Sequence, residues 1–109
     1  MIMAERRLII GDLAGDKEVV IRLYQPEAED GTWNCRYEID WPSQRRSSRA
    51  GGVDSMQALV LALQAIGIEI YTSSYHESGL LKWYEPNQGY GFPVGYNVRD
   101  LLIGDDVNL

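Results

Sequence analysis

Hydrophobic and polar residues alternate most regularly between Trp33 and Trp41. The odd positions of this segment are apolar or aromatic, and the even positions are polar. Because successive side chains of a strand point to opposite faces of a sheet, a strict period of two predicts a strand with one buried and one solvated face. Pro42 and Ser43 end this strand.

Strand patterns also lie on both sides of this segment. Residues 4–10 and 18–25 are separated by Gly-Asp turn signals, which predicts a first hairpin. Residues 45–50 are predicted to return as a fourth strand whose arginines lie opposite the acidic residues of the third. Leu80 to Tyr84 predicts one more short strand.

A helix is predicted to begin at Ser55, because Asp54 followed by Gln57 resembles a capping box. Apolar residues then recur at three- and four-residue spacing as far as Ile70, and further apolar residues occupy much of the opposite face. A helix continuing to His76 would be long for a small sheet, so we expect a bend near Gly67 or at residues 72–74. So wide an apolar surface needs cover on both sides, from the sheet and from the C-terminal segment or a second subunit.

The elements together predict an α+β fold. We expect an antiparallel β-meander of four or more strands, one long α-helix packed across one face, and a C-terminal covering segment. A chain of 109 residues is enough for one hydrophobic core, so residues 1–109 are predicted to form a single domain. A weak helical pattern from Val98 to Ile103 lies in its last part.

Charge and composition narrow the classes of partner. The chain carries 16 acidic and 10 basic residues, a formal net charge of -6, which makes nucleic acid an unlikely partner and favours a basic protein. Polar residues interrupt the most apolar segment, residues 53–71, and the first residues lack the pattern of a signal peptide. With one cysteine and no membrane segment expected, we expect a cytoplasmic protein.

The sequence contains no recognisable catalytic or metal-binding set, so we expect neither an enzyme nor a cofactor. Cys35 lies on the apolar face of the third strand and is interpreted as a core thiol, and His76 as a residue at a helix end. Glu38 and Asp40 are expected to form cross-strand ion pairs with the neighbouring arginines. We expect the acidic segment around Glu27 to be a loop, and Asp105 and Asp106 to be a frayed tail.

Three segments carry a resemblance to a family. Residues 52–59, GVDSMQAL, continue through the helix to Ile66, and Trp83 and the segment GYGFP at residues 89–93 follow. Together they resemble a family of small uncharacterised bacterial proteins that contains a domain of unknown function. The resemblance implies a bacterial origin and a β-meander followed by a helix, and it implies no activity.

The leading functional hypothesis is a small protein-binding module, such as an inhibitor or immunity-type protein that acts by occluding its partner. The expected contact surface is acidic and aromatic, and consists of Tyr90, Tyr96, Glu27, Glu29 and Asp30. One alternative is a homo-oligomeric structural protein, such as a homodimer formed through the helix or the C-terminal segment. An enzyme using tyrosine and carboxylate groups is the third hypothesis, and small-molecule binding without turnover is the fourth.

Overall fold

The computed structural model describes residues 1–12, 14–95 and 100–109. The elements in chain order are β1 (Ile2–Ile10), β2 (Lys17–Tyr24), β3 (Glu27–Glu29), β4 (Thr32–Asp40), β5 (Arg45–Gly52), α1 (Ser55–Tyr71), α2 (Ser74–Glu77), β6 (Leu81–Lys82) and a 3-10 helix (Gly104–Asn108). The strands form one antiparallel sheet against which α1 packs. The predicted α+β fold is therefore confirmed.

The sheet is a meander with one added edge strand. β1 pairs with β2, β2 with β4, and β4 with β5, while β6 pairs only with Ile9 and Ile10 at the end of β1. β2 and β3 both pair with β4 and together form a long strand that is interrupted at Pro26, where the proline lacks a donor N–H. The prediction of an acidic loop at residues 27–29 was wrong. The turn is limited to Asp30 and Gly31, whose φ angles of 50° and 82° suit a tight two-residue hairpin.

The two faces of β4 follow the predicted alternation. Cys35, Tyr37 and Ile39 are buried beneath α1. On the opposite face, Asp40 accepts hydrogen bonds of 2.7 Å from both Arg22 and Arg45. These bonds outweigh the effect of partial burial and hold the pKa of Asp40 below its ordinary value. The predicted cross-strand ion pairs are thus confirmed.

Helix α1 begins where the capping pattern predicts and ends earlier than expected. The Asp54 carboxylate accepts from the Gln57 N–H at 2.7 Å, and the Gln57 side chain accepts from the Val53 N–H at 2.7 Å, one residue before the cap. The Thr72 and Ser73 hydroxyls donate to carbonyls of the last turn, so the helix stops at Tyr71 instead of continuing to His76. The helix is interrupted at the predicted Thr-Ser-Ser segment, residues 72–74, and α2 begins at Ser74.

The segment after β6 covers the second half of α1. Phe92 and Val94 join the core, and a Cβ at Gly67 would overlap the Pro93 carbonyl oxygen, so the helix and this segment meet backbone to backbone. The expected C-terminal cover is therefore present. The predicted strand at residues 80–84 is reduced to β6, and the helical pattern predicted from Val98 begins outside the described residues.

Candidate functional site

Strand pairing brings three exposed segments to one end of the sheet. The Gln25 N–H donates to the Met1 carbonyl at 3.0 Å, which places the start of β1 beside the start of β3. Gly52 pairs with Trp33, which places the end of β5 beside the same hairpin. We call this surface the open end. It comprises residues 1–3, residues 27–30, Val53, Met56 and Val60.

The open end carries an unusual share of exposed apolar side chains. Val53 is 80% exposed and Met56 is 73% exposed, and Met1, Ile2, Met3 and Val60 are exposed as well. All three methionines of the chain lie here. Clustered apolar side chains on a surface mark interaction sites, and methionine adapts its shape to different partners.

The acidic β3–β4 hairpin belongs to this same end of the sheet. Glu27, Glu29 and Asp30, which the sequence predicted to bind a partner, are all exposed on the β3–β4 hairpin. Glu29 accepts from the Asn34 amide at 3.3 Å and lies 3.9 Å from Arg49. Within the described part of the chain, the Glu27 carboxylate makes no ion pair or hydrogen bond. The open end is therefore both apolar and acidic.

An apolar groove lies next to the open end, between α1 and strands β1 and β2. Its volume is about 240 Å³, and Ala4, Leu23 and Leu63 are in its lining, together with Phe92 and Pro93. Leu63 lies seven residues after Met56 on α1, so the groove extends the apolar stripe that starts at the open end.

A second cluster holds the GYGFP segment in place. The Asp106 carboxylate accepts from the Tyr71 hydroxyl at 2.5 Å, from the Tyr90 N–H at 2.7 Å and from the Gly91 N–H at 2.6 Å. From the opposite side, Arg6 donates to the carbonyls of Tyr90 and Gly91 at 3.1 Å each. We call these five residues the clasp.

The alternation of glycine with large residues follows from this geometry. Gly89 and Gly91 have φ angles of 87° and 79°, a region that favours glycine. A Cβ at Gly89 would lie 2.6 Å from the Asp106 carboxyl carbon, and one at Gly91 would lie 2.5 Å from the Arg6 guanidinium. The Arg6 guanidinium also stacks on Trp83, 3.8 Å from the ring centre. Burial lowers the pKa of Arg6, and nearby Tyr84 and Asp106 only partly offset this.

Two expectations about the last third of the chain are corrected. Tyr90 is only 3% exposed, so the expectation that its ring lies on the surface was wrong. Its hydroxyl lies 2.5 Å from His76 Nδ1, and burial raises the pKa of Tyr90 to about 12. Asp106, expected in a frayed tail, is 1% exposed. Tyr96 lies outside the described residues.

Sequence reasoning missed the clasp because its partners are far apart along the chain. Arg6 and Tyr90 are 84 positions apart, and Tyr71 and Asp106 are 35 apart. The available signal was the glycine spacing at residues 89–91, which indicates close backbone approach without naming the group that approaches.

The reactive side chains do not form a catalytic pair. The Cys35 thiol is buried and donates to the Tyr24 carbonyl at 3.3 Å, and burial raises its pKa. His76 lies against Tyr71 and Tyr90, with ring centres 4.9 and 5.5 Å away, and burial lowers its pKa. Among residues 1–12, 14–95 and 100–109, no three His, Cys, Asp or Glu side chains are grouped to hold a metal ion. No helix in these same ranges is long and apolar enough to cross a membrane.

Comparison with known proteins places the chain in a family without an assigned activity. No curated protein matches the sequence, and no solved structure does. The model of DUF6968, described as a domain of unknown function, matches residues 4–94. The match includes most of β1, all of β2 through β6, α1 and the GYGFP segment, and it ends before Asp106. The expected resemblance to an uncharacterised family is confirmed at this level, and the chain belongs to the DUF6968 family.

Proposed function

We propose that this protein is a protein-binding module that occludes a basic surface of its partner with the open end. The observation that carries the proposal is the juxtaposition of exposed Val53 and Met56 with the acidic hairpin at Glu27. Apolar side chains supply most of the binding free energy when they leave water. Acidic side chains around them speed association with a basic partner and select against acidic ones.

A contrast with the centre of the sheet supports this choice of surface. There, the Asp40 carboxylate is paired with Arg22 and Arg45 at 2.7 Å each, so its negative charge is compensated. On the hairpin, the Glu27 carboxylate has no such partner among the described residues, and Glu29 only approaches Arg49 at 3.9 Å. Uncompensated negative charge is therefore available at the open end.

An inhibitor or immunity-type protein is the specific form of this proposal. Such a protein needs a stable scaffold and one contact surface, and no catalytic group. The proposal includes a bacterial cytoplasmic setting, because a single buried thiol such as that of Cys35 fits a reducing compartment.

The test is affinity capture from a lysate of the native host, followed by binding measurements with purified variants. Met56→Asp and the double charge reversal Glu27→Lys with Asp30→Lys are expected to weaken binding of the captured protein at least tenfold. Leu80→Asp places an acid at another exposed apolar position, and Glu85→Lys reverses one charge at another exposed position; both are expected to bind like the unchanged protein. Equal binding by all variants would contradict the proposal.

A homodimer is the second candidate, and the composition of α1 favours it. The 17 residues of α1 contain one charged side chain, Glu69, although Met56 and Val60 on its outer side are exposed. A two-fold contact through these residues would bury them and bring two acidic hairpins towards each other. Added salt would then strengthen self-association, whereas it would weaken binding to a basic partner. Light scattering at low and high salt separates the two candidates.

A further inference from the structure

Asp106 is the one charged side chain that is fully buried among the described residues. Burying an ionised carboxylate is costly unless hydrogen bonds replace its hydration. Here both oxygens are engaged: Oδ2 accepts from Tyr71 and Tyr90, and Oδ1 accepts from the Gly91 N–H. The three donors therefore have the arrangement of a binding site for a carboxylate group.

We propose that Tyr71, Tyr90 and Gly91, supported by Arg6, form a carboxylate-binding site that the chain fills with its own Asp106. In this proposal, an external carboxylate binds there when the 3-10 helix moves away. The contact of Asp106 with the site is thus autoinhibitory. The site is separate from the open end and does not depend on the function proposed for it.

The donors belong to the body of the domain, and the carboxylate belongs to a separate segment near the C-terminal end. Arg6, on β1, fixes the Tyr90 and Gly91 peptides through their carbonyls, and Tyr71 is the last residue of α1. A positively charged group bound to the Tyr90 carbonyl polarises the peptide that contains the Gly91 N–H and strengthens that donor. All four of these residues lie within the family match, whereas Asp106 lies 12 residues beyond its end.

A cleft beside Asp106 gives access and defines the class of ligand. Its volume is about 500 Å³, which suits a small organic molecule, and Trp83 and Tyr84 are in its lining. Three acidic residues also line the cleft. Two of them, Asp105 and Asp106, belong to the 3-10 helix and would move away with this helix. The remaining acid is Glu85, and the positively charged Arg6 guanidinium stacks on Trp83 of the same lining. We therefore expect an aromatic carboxylate, with its ring against Trp83 and Tyr84.

The segment that carries Asp106 makes other hydrogen bonds at the site. Besides those of Asp106, the Asp105 N–H donates to the Gln88 carbonyl at 3.1 Å, and the Ile103 N–H donates to the Tyr71 hydroxyl at 3.4 Å. Gly104, with a φ of 55°, lies directly against the Gln88 backbone, where a Cβ would overlap it. Removing the carboxylate removes the three hydrogen bonds that Asp106 accepts at the site.

The experiment is chemical rescue of Asp106→Gly in the full chain. This variant deletes the carboxylate and leaves space for another. We expect its melting temperature, Tm, to fall and then to rise in a saturable way when formate or benzoate is added, but not with sodium chloride at the same ionic strength. Asp105→Gly, which removes an exposed acid from the same turn, is the matched control and is expected to show no rescue.

Affinity for benzoate gives a second readout. We expect Asp106→Gly to bind benzoate at least tenfold more tightly than the unchanged protein, with shifts of the Tyr90 and Gly91 amide resonances. Equal affinities, or a Tm that formate raises no more than chloride does, would overturn the proposal. If Asp106→Gly does not fold alone, the same titration is followed by circular dichroism. Folding driven by formate but not chloride supports the proposal, and no folding with either anion overturns it.

Discussion

Replacing Tyr71 with phenylalanine removes one oxygen from the clasp and keeps the ring. The Tyr71 hydroxyl donates to Asp106 at 2.5 Å and accepts from the Ile103 N–H at 3.4 Å. Tyr71 is almost fully buried and Asp106 is fully buried, so water has little access to replace the lost donor. Among the described residues, the carboxylate would keep its two backbone donors, the N–H groups of Tyr90 and Gly91.

The magnitude follows from the charge on the acceptor. A hydrogen bond to a charged group contributes about 1.5–3 kcal/mol, and the loss is not recovered when the charged partner stays buried. Unfolding entropy is about 2.1 cal/mol/K per residue, which for this chain of 109 residues gives about 0.23 kcal/mol/K. We therefore expect Tyr71→Phe to lower Tm by about 6–13 °C.

Thermal unfolding followed by circular dichroism measures this change. Tyr75→Phe is the matched control, because the Tyr75 ring stacks on Trp41 at 5.0 Å and its hydroxyl makes no hydrogen bond within the described residues. Its expected shift is within about 2 °C. In the double variant of Tyr71→Phe with Asp106→Asn, the losses should be less than additive. A Tm for Tyr71→Phe equal to that of the control would refute the reasoning.

Two further changes test other contacts. Gly67→Ala places a methyl group against the Pro93 carbonyl and should lower Tm by about 4–13 °C, from about 1–3 kcal/mol of overpacking. Gly95→Ala, whose methyl group meets no atom of the described residues within 4 Å, is the control, and equal Tm values would contradict the contact. Burial lowers the pKa of His76 below the 6.5 of the unfolded chain, so the unfolded state binds the proton more readily. The stability that the neutral His76 contributes is therefore fully present above pH 6.5 and is lost as the pH falls below that value. In His76→Gln, the free energy of unfolding measured with urea should change less between about pH 7 and 5.5 than in the unchanged protein. Parallel profiles for the two proteins would show that His76 is not the cause.

Local patterns were sufficient to predict most of the sheet and the start of α1. In β4, side chains face the core or the solvent according to a period of two. The start of α1 depends on a hydrogen bond between Asp54 and Gln57, which are only three residues apart in the sequence. The end of α1 was harder to predict, because the apolar spacing continues through Ile70 while side-chain bonds from Thr72 and Ser73 to the last carbonyls end the helix.

The candidate site was predicted only where it depends on neighbouring residues. Glu27, Glu29 and Asp30 share one hairpin, and their exposure follows from the turn at Asp30 and Gly31. The burial of Tyr90 depends instead on Arg6 and Asp106, which approach it from opposite directions across the fold. A tyrosine between two glycines gives no indication of such partners, so the sequence favoured an exposed ring.

The uneven cover of α1 explains why the proposed interaction surface lies at one end of the molecule. The helix is apolar along its whole length, with Glu69 as its one charged residue. Near its C-terminal end, the Pro93 backbone packs against Gly67, and Tyr71 is buried as part of the clasp. Near its N-terminal end no described segment covers Met56, which remains 73% exposed beside the acidic hairpin. Since the same apolar pattern is buried at one end and exposed at the other, core packing cannot account for Met56, and binding of a partner can.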